Sequence, residues 1–258
     1  MKKLIAGGLL LATAALPLAA QAQSAKPTVV LVHGAFADSS SWNGVVRILE
    51  RDGYTVVAAA NPLRGVRADA DAVRALVDSI PGPVVLVGHS YGGSVISEAG
   101  EGAANVKALV YVAAFAPDAG ETALGLTGKF PGSTLAPTLA PPVKLASGGT
   151  DLYILQARFH DQFAADVPAG EARLMAAGQR PVAEAALGEA STAPAWKHIP
   201  AWFVYGDKDR NIPPAALAFM ADRAGSRGTV VVKGASHVVM VSNAPAVASL
   251  IERAATAR

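Results

Sequence analysis

Short unbroken runs of apolar residues recur along this chain, and stretches with helical spacing fill the intervals between them. Thr28–Val32 is continuous and β-branched, as a strand covered on both faces should be. Asp38 to Ser41 are polar and suited to cap a helix. Trp42, Val45, Val46 and Leu49 then keep helical spacing until Gly53 stops it. Tyr54–Ala58 reads as the next strand. Asp69–Ile80 reads as an amphipathic helix with Ala72, Val73, Leu76 and Val77 inward, ended by Pro81-Gly82. A third strand starts at Val84 and runs into Gly88, Gly92–Gly100 follows as a buried helix, and Val106–Ala113 as a fourth strand. The rhythm returns late in the chain with a strand at Ala201–Tyr205, a helix at Pro214–Arg223, a strand at Thr229–Val232 and a helix at Asn243–Ala255. Strands alternating with helices at this spacing predict an α/β fold with a doubly wound, mostly parallel sheet. Ligands in such sheets bind outside the carboxyl ends of the strands.

The rhythm is lost between residues 117 and 194, a stretch rich in Pro, Ala and Gly, with helix candidates only at Gly170–Ala177 and Pro181–Leu187. So long an interruption predicts a lid inserted over the site. Its one low-complexity segment runs from Thr134 to Pro142, with Ser133 before it.

Composition narrows the setting. Lys2 and Lys3 precede an apolar run from Leu4 to Leu18, and Ala20-Gln21-Ala22 fits a small-x-small cleavage site. Residues 1–22 are therefore expected to be a signal peptide, removed on export to the periplasm or the medium. The run is shorter than the roughly 20 apolar residues of a spanning helix and contains Pro17, so no stable membrane insertion is expected once it is removed. The formal net charge of +2 includes Lys2 and Lys3, which leaves the remaining chain about neutral and offers nothing to a nucleic acid. With no cysteine, neither a disulfide nor a lipid anchor is available. There is no HExxH, no H-x-H, no strand-borne G-x-G-x-x-G and no P-loop, so neither a metal nor a cofactor is expected. No pattern sets an oligomeric state.

The chemistry gathers on Gly88-His89-Ser90-Tyr91-Gly92, a G-x-S-x-G at a predicted strand-to-helix junction. A serine on so tight a turn stands clear of the sheet edge, but its hydroxyl is a poor nucleophile until a base removes its proton. His237, in the loop Gly234-Ala235-Ser236-His237 after a strand, is the candidate base. Asp209, in Gly206-Asp207-Lys208-Asp209 after another strand, is the candidate acid. The order Ser90, Asp209, His237 is that of a nucleophile-elbow hydrolase. Backbone N–H groups are suited to hold a developing oxyanion. Those of Tyr91 and Ala35, the latter in His33-Gly34-Ala35-Phe36, are the candidate donors, with Phe36 as the alternative to Ala35. His89 is expected to pack near this loop, His198 to lie in a surface turn and His160 in the lid.

Four motifs, VLVHGAF, VGHSYGG, the G-x-x-D of YGDKD, and GASH, resemble those of the cofactor-independent esterase and lipase superfamily of α/β-hydrolase enzymes, over Pro27 to Ala255. A start directly on the HG strand resembles the small methylesterase and hydroxynitrile lyase branch and implies a core of about six strands. The lyases of that branch carry a lysine directly after the His, where this chain has Val238. Dehalogenases and epoxide hydrolases of the fold carry an aspartate where Ser90 stands. The resemblance implies a serine hydrolase cleaving a small apolar carboxylic ester or lactone through an acyl-enzyme. Alternatives are a perhydrolase or haloperoxidase-like activity, and a hydrolase-like ligand-binding receptor. The G-x-x-D pattern selects Asp209 over Asp207, which is expected to face solvent or a backbone N–H. The pocket is expected to draw on Phe36 and, from the lid, Leu152, Ile154, Phe159, Phe163, Leu174 and Met175.

Overall fold

A computed structural model describes residues 26–257; the expected signal peptide, residues 1–22, lies outside them. Strands β1 (Thr28–Val32), β2 (Val56–Ala59), β3 (Val84–His89) and β4 (Val106–Val112) alternate with helices α1 (Asn43–Arg51), α2 (Val66–Asp78) and α3 (Tyr91–Ala99). The inserted segment follows. It holds α4 (Ala123–Lys129), the short strands β5 (Val143–Lys144) and β6 (Thr150–Leu152), α5 (Gln156–Phe163), α6 (Ala169–Gly178), β7 (Val182–Ala183) and α7 (Glu184–Gly188). The chain then returns to the core with β8 (Ala201–Gly206), α8 (Pro214–Arg223), β9 (Thr229–Val232), α9 (Val239–Ser242) and α10 (Ala244–Thr256).

Six strands form one sheet in the order β2-β1-β3-β4-β8-β9, with every neighbouring pair parallel. The apolar runs account for this arrangement. Val84, Val85, Leu86 and Val87 are all fully buried at the centre of the sheet, and each such side chain removed from water stabilises the fold by about 1.5–3 kcal/mol. Helix α3 is buried on nearly its whole surface, as expected of a helix lying behind a central strand. Among the described residues no helix is long and apolar enough to cross a membrane.

The largest departures from the sequence reading lie where distant residues act on local structure. Helix α2 begins at Val66 rather than Asp69 because the Glu189 carboxylate, 123 positions downstream, accepts the Val66 N–H at 2.7 Å and that of Arg67 at 3.4 Å. A carboxylate so placed satisfies donors that the first turn of a helix leaves open. Residues 181–187, read as one helix, open instead as strand β7, because Asp151 and Leu152 of β6 pair with Ala183 and Val182. The antiparallel sheet β5-β6-β7 and helices α4 and α5 have no counterpart in the sequence reading, since each is too short to show a period.

Candidate active site

Ser90 takes φ 53° and ψ −123° between β3 and α3, a strained conformation for a residue with a Cβ. Its surroundings over-determine it: Ser90 N–H donates to the Val112 carbonyl at 3.3 Å, while the Ser90 carbonyl accepts from Gly93 at 2.9 Å and from Phe115 at 3.1 Å. The turn also needs bare backbone beside it. A Cβ on Gly92 would stand 2.5 Å from the Val32 carbonyl oxygen, and one on Gly34 would stand 2.6 Å from the Cβ of Ser90. The HG loop after β1 is thus pressed directly against the serine.

That loop is held by its own histidine. His33 Nε2 accepts the Asn61 N–H at 3.1 Å, so the ring proton is on Nδ1, which donates to the Gly34 carbonyl at 3.0 Å. Burial holds the His33 pKa below the ordinary imidazole value and keeps the ring neutral. The N–H of Phe36 is engaged with the Arg180 carbonyl at 3.1 Å. It therefore cannot face an oxyanion, and the alternative donor expected from the sequence is withdrawn. Among the described residues no backbone carbonyl accepts the N–H of Ala35 or of Tyr91. Both residues line the cavity together with Ser90.

His237 is fully buried, and its Nδ1 donates to Asp209 Oδ2 at 2.7 Å. The other carboxylate oxygen of Asp209 accepts from Asn211 N–H at 2.8 Å and Ile212 N–H at 3.0 Å, which sets the orientation of the acid. Asp207 instead accepts the Gly234 N–H at 2.6 Å, tying the end of β8 to the turn that leads to His237. His237 Nε2, the nitrogen turned away from Asp209, has no hydrogen-bond partner among the described residues.

Around the His237 ring lie two more aromatic groups, His89 with centroids 4.8 Å apart and Phe163 at 5.1 Å. His89 Nε2 donates to the His237 carbonyl at 3.2 Å. Burial first, and then the neighbouring His237, hold the His89 pKa well below its ordinary value, so it is neutral at pH 7 and adds no charge beside His237. A Cβ on Gly34 would stand 3.2 Å from His89 Nδ1, so His89 packs against the HG loop as expected. His160 is used locally, its Nε2 hydrogen-bonded with the Val167 carbonyl at 2.8 Å, and His198 is exposed in a turn.

A cavity of about 660 Å³ opens beside Ser90, between the sheet edge and the inserted segment. Its apolar lining includes Phe36, Leu124, Leu135, Leu139, Leu152 and Leu187. Residues 133, 135, 136 and 139–142 of the low-complexity segment form one wall. A cavity of this size takes a drug-sized ligand, more than a short acyl chain fills. Phe159 and Phe163, expected to line the pocket, do not. Both are buried to within 1 % and pack on each other with centroids 4.9 Å apart and rings tilted by 45°, while Phe163 meets His237 edge-to-face. Leu174 and Met175 line a separate groove of about 340 Å³ between α1 and α6, and Ile154 is buried outside the lining.

A family model described as the alpha/beta hydrolase family matches residues 29–250. The chain belongs to the alpha/beta hydrolase family. Among its family relatives, the alpha/beta hydrolase nvfD of Aspergillus novofumigatus is 27% identical over 254 residues, 89% of this chain and 97% of the relative. Solved structures share the fold at lower identity. Polyneuridine aldehyde esterase superposes with a TM-score of 0.76 at 18% identity, over 88% of this chain and 98% of the other. A pyrethroid hydrolase from Sphingobium faniae JZ-2 gives 0.70 at 21% identity, over 90% and 98%. The methylesterase MES16 from Arabidopsis gives 0.71 at 17%, over 88% and 98%. In this family member, several residues bearing on the site escaped the sequence reading. Buried Asp69 on α2 accepts the Tyr91 hydroxyl at 2.8 Å and the Arg64 N–H at 3.1 Å, anchoring the residue after the serine. Gln162 of α5, also buried, donates to the Arg210 carbonyl at 2.9 Å and Asn211 Oδ1 at 2.6 Å, bracing the loop of Asp209. Neither carries a sequence signal of its own: the burial of Asp69 and Gln162 follows from packing between distant segments.

Proposed function

We propose that this chain is a cofactor-independent serine hydrolase that cleaves a small-molecule, largely apolar carboxylic ester or lactone through an acyl-enzyme. The observation that carries the reading is the buried 2.7 Å contact of His237 Nδ1 with Asp209 Oδ2, beside a serine held at φ 53° on the wall of an apolar cavity. Ser90 Oγ attacks the acyl carbon while His237 Nε2 takes its proton, and the N–H groups of Ala35 and Tyr91 receive the oxyanion. Asp209 holds the imidazole in the Nδ1–H tautomer and stabilises its charged form. Collapse of the tetrahedral intermediate breaks the bond to the alcohol, which leaves with the proton from His237. Water, deprotonated by the same nitrogen, then attacks the acyl-enzyme and frees the acid and Ser90. The inserted segment acts as a lid: its apolar wall binds the substrate and excludes water. The fold neighbours named as an esterase, a methylesterase and a pyrethroid hydrolase support the ester-cleaving class.

The test is a panel of neutral activated esters varied separately in acyl and alcohol parts, with intact-mass spectrometry during turnover. An adduct of the acyl mass on the peptide holding Ser90, and loss of turnover in Ser90→Ala, are expected. Turnover that survives Ser90→Ala would overturn the proposal. Binding of esters without turnover would favour the receptor alternative, and peracid formation outrunning hydrolysis when peroxide is supplied would favour the perhydrolase.

A further inference from the structure

Among the described residues the cavity beside Ser90 has one charged residue in its lining. It is lined by aliphatic and aromatic residues together with Ser90, Thr127, Ser133, Asn211 and Glu184, and among the described residues no Lys or Arg lines it. Glu184, the first residue of α7, is exposed, which sets it at the mouth of the cavity. Nearby carboxylates have cations of their own: Asp151 pairs with Arg64 at 2.6 Å and Glu189 with Arg67 at 2.9 Å. Glu184 has no such partner among the described residues. A negative charge at the rim of an apolar cavity acts across a wall of low polarisability, where field lines are less damped than in open water.

We infer that Glu184 is a specificity-determining residue, which gives the site a preference for esters bearing an ammonium group over neutral ones and for neutral ones over those bearing a carboxylate. This rests on the hydrolase reading and adds the substrate's charge class to it. A carboxylate entering the cavity leaves water without meeting a cation and meets Glu184 instead. An ammonium group at the substrate's distal end stays at the wet rim, where Glu184 attracts it without requiring its full desolvation. A single charge pair about 6 Å apart at the protein surface changes association by a few-fold in each direction, so the ammonium and carboxylate forms should differ by roughly tenfold or more in kcat/KM at low ionic strength.

The test uses matched activated esters of one chain length that end in a tert-butyl, a trimethylammonium or a carboxylate group. One set carries the terminus on the acyl part and a second carries it on the alcohol part. In at least one set the order of kcat/KM should be ammonium, neutral, carboxylate, and 0.5 M salt should compress the spread. Glu184→Gln should bring the ammonium-to-carboxylate ratio down at least fivefold, and Glu184→Lys should invert it. A ratio near one in both sets, or one that Glu184→Gln leaves standing, would overturn the inference. If no ester of either set is turned over, the hydrolase reading is what fails. Calorimetric titration of the full chain with the same three alcohol-part ligands then decides the inference by itself: equal affinities overturn it, and an ordered series removed by Glu184→Gln upholds it.

Discussion

Asp166, at the turn after α5 in the inserted segment, accepts the backbone N–H of Ser236 at 3.0 Å and also its hydroxyl. The loop that presents His237 is therefore held from the inserted segment, 70 positions away in sequence. A third bond, from Asn243 Nδ2 at 3.4 Å, reaches the other carboxylate oxygen. The same end of the insert braces the loop of Asp209 through Gln162. One short piece of the inserted segment thus sets the relative positions of the two loops whose side chains meet in the Asp209–His237 contact.

Asp166→Ala should accordingly lower kcat on a neutral ester by about tenfold or more, a barrier increase near 1.4 kcal/mol, while KM changes little. Asp166→Asn keeps an acceptor for Ser236 and should recover most of the loss. Steady-state kinetics on both variants, with circular dichroism to verify folding, checks this. A change in KM alone would place Asp166 in substrate binding rather than in support of His237.

Asp209→Asn should cut kcat by orders of magnitude, on the scale of roughly 10⁴ known for the acid of such a triad, because an amide N–H facing Nδ1 favours the wrong tautomer. Asp207→Asn keeps an oxygen for the Gly234 N–H and should stay within about tenfold. Measurement of kcat for both on one activated ester decides between them, and the opposite ranking would assign the acid role to Asp207.

Stability should fall as pH drops below about 6.5. His33 and His89 are both buried, and burial lowers both pKa values from 6.5. Below pH 6.5 the unfolded chain binds protons that the folded one refuses, so each group destabilises the fold progressively until the pH reaches its depressed folded value. The slope is at most about 1.4 kcal/mol per pH unit for each group. Urea unfolding midpoints between pH 7 and 5 should decrease, and His89→Gln should flatten the dependence. An unchanged slope in that variant would mean that His89 does not contribute to it.

Export is proposed from the Lys-apolar-small pattern of residues 1–22. Mass spectrometry of the protein from its native host should find Gln23 or a near neighbour at the amino terminus. Intact Met1 on a soluble cytoplasmic pool would contradict it.

Much of the core is local information. The runs Thr28–Val32 and Thr229–Val232 and the helix Pro214–Arg223 stand where the pattern places them, because a two-sided apolar strand or a capped amphipathic helix carries its signal in adjacent residues. The G-x-S-x-G turn is equally local, and a parallel sheet puts the carboxyl ends of its strands on one edge, so the proximity of Ser90, Asp209 and His237 to that edge was readable from the sequence. What surrounds them was decided only by the tertiary structure. Glu189 starts α2 from 123 residues away, and Asp69 reaches the hydroxyl of Tyr91 through the packing of α2 on α3. Phe163 faces His237 instead of the cavity, while Leu124, Leu135 and Leu187 line it. An apolar side chain is suited equally to a core and to a cavity wall, and no periodicity tells which it will meet. That choice depends on how the insert folds back over the sheet, through contacts between residues far apart in the chain.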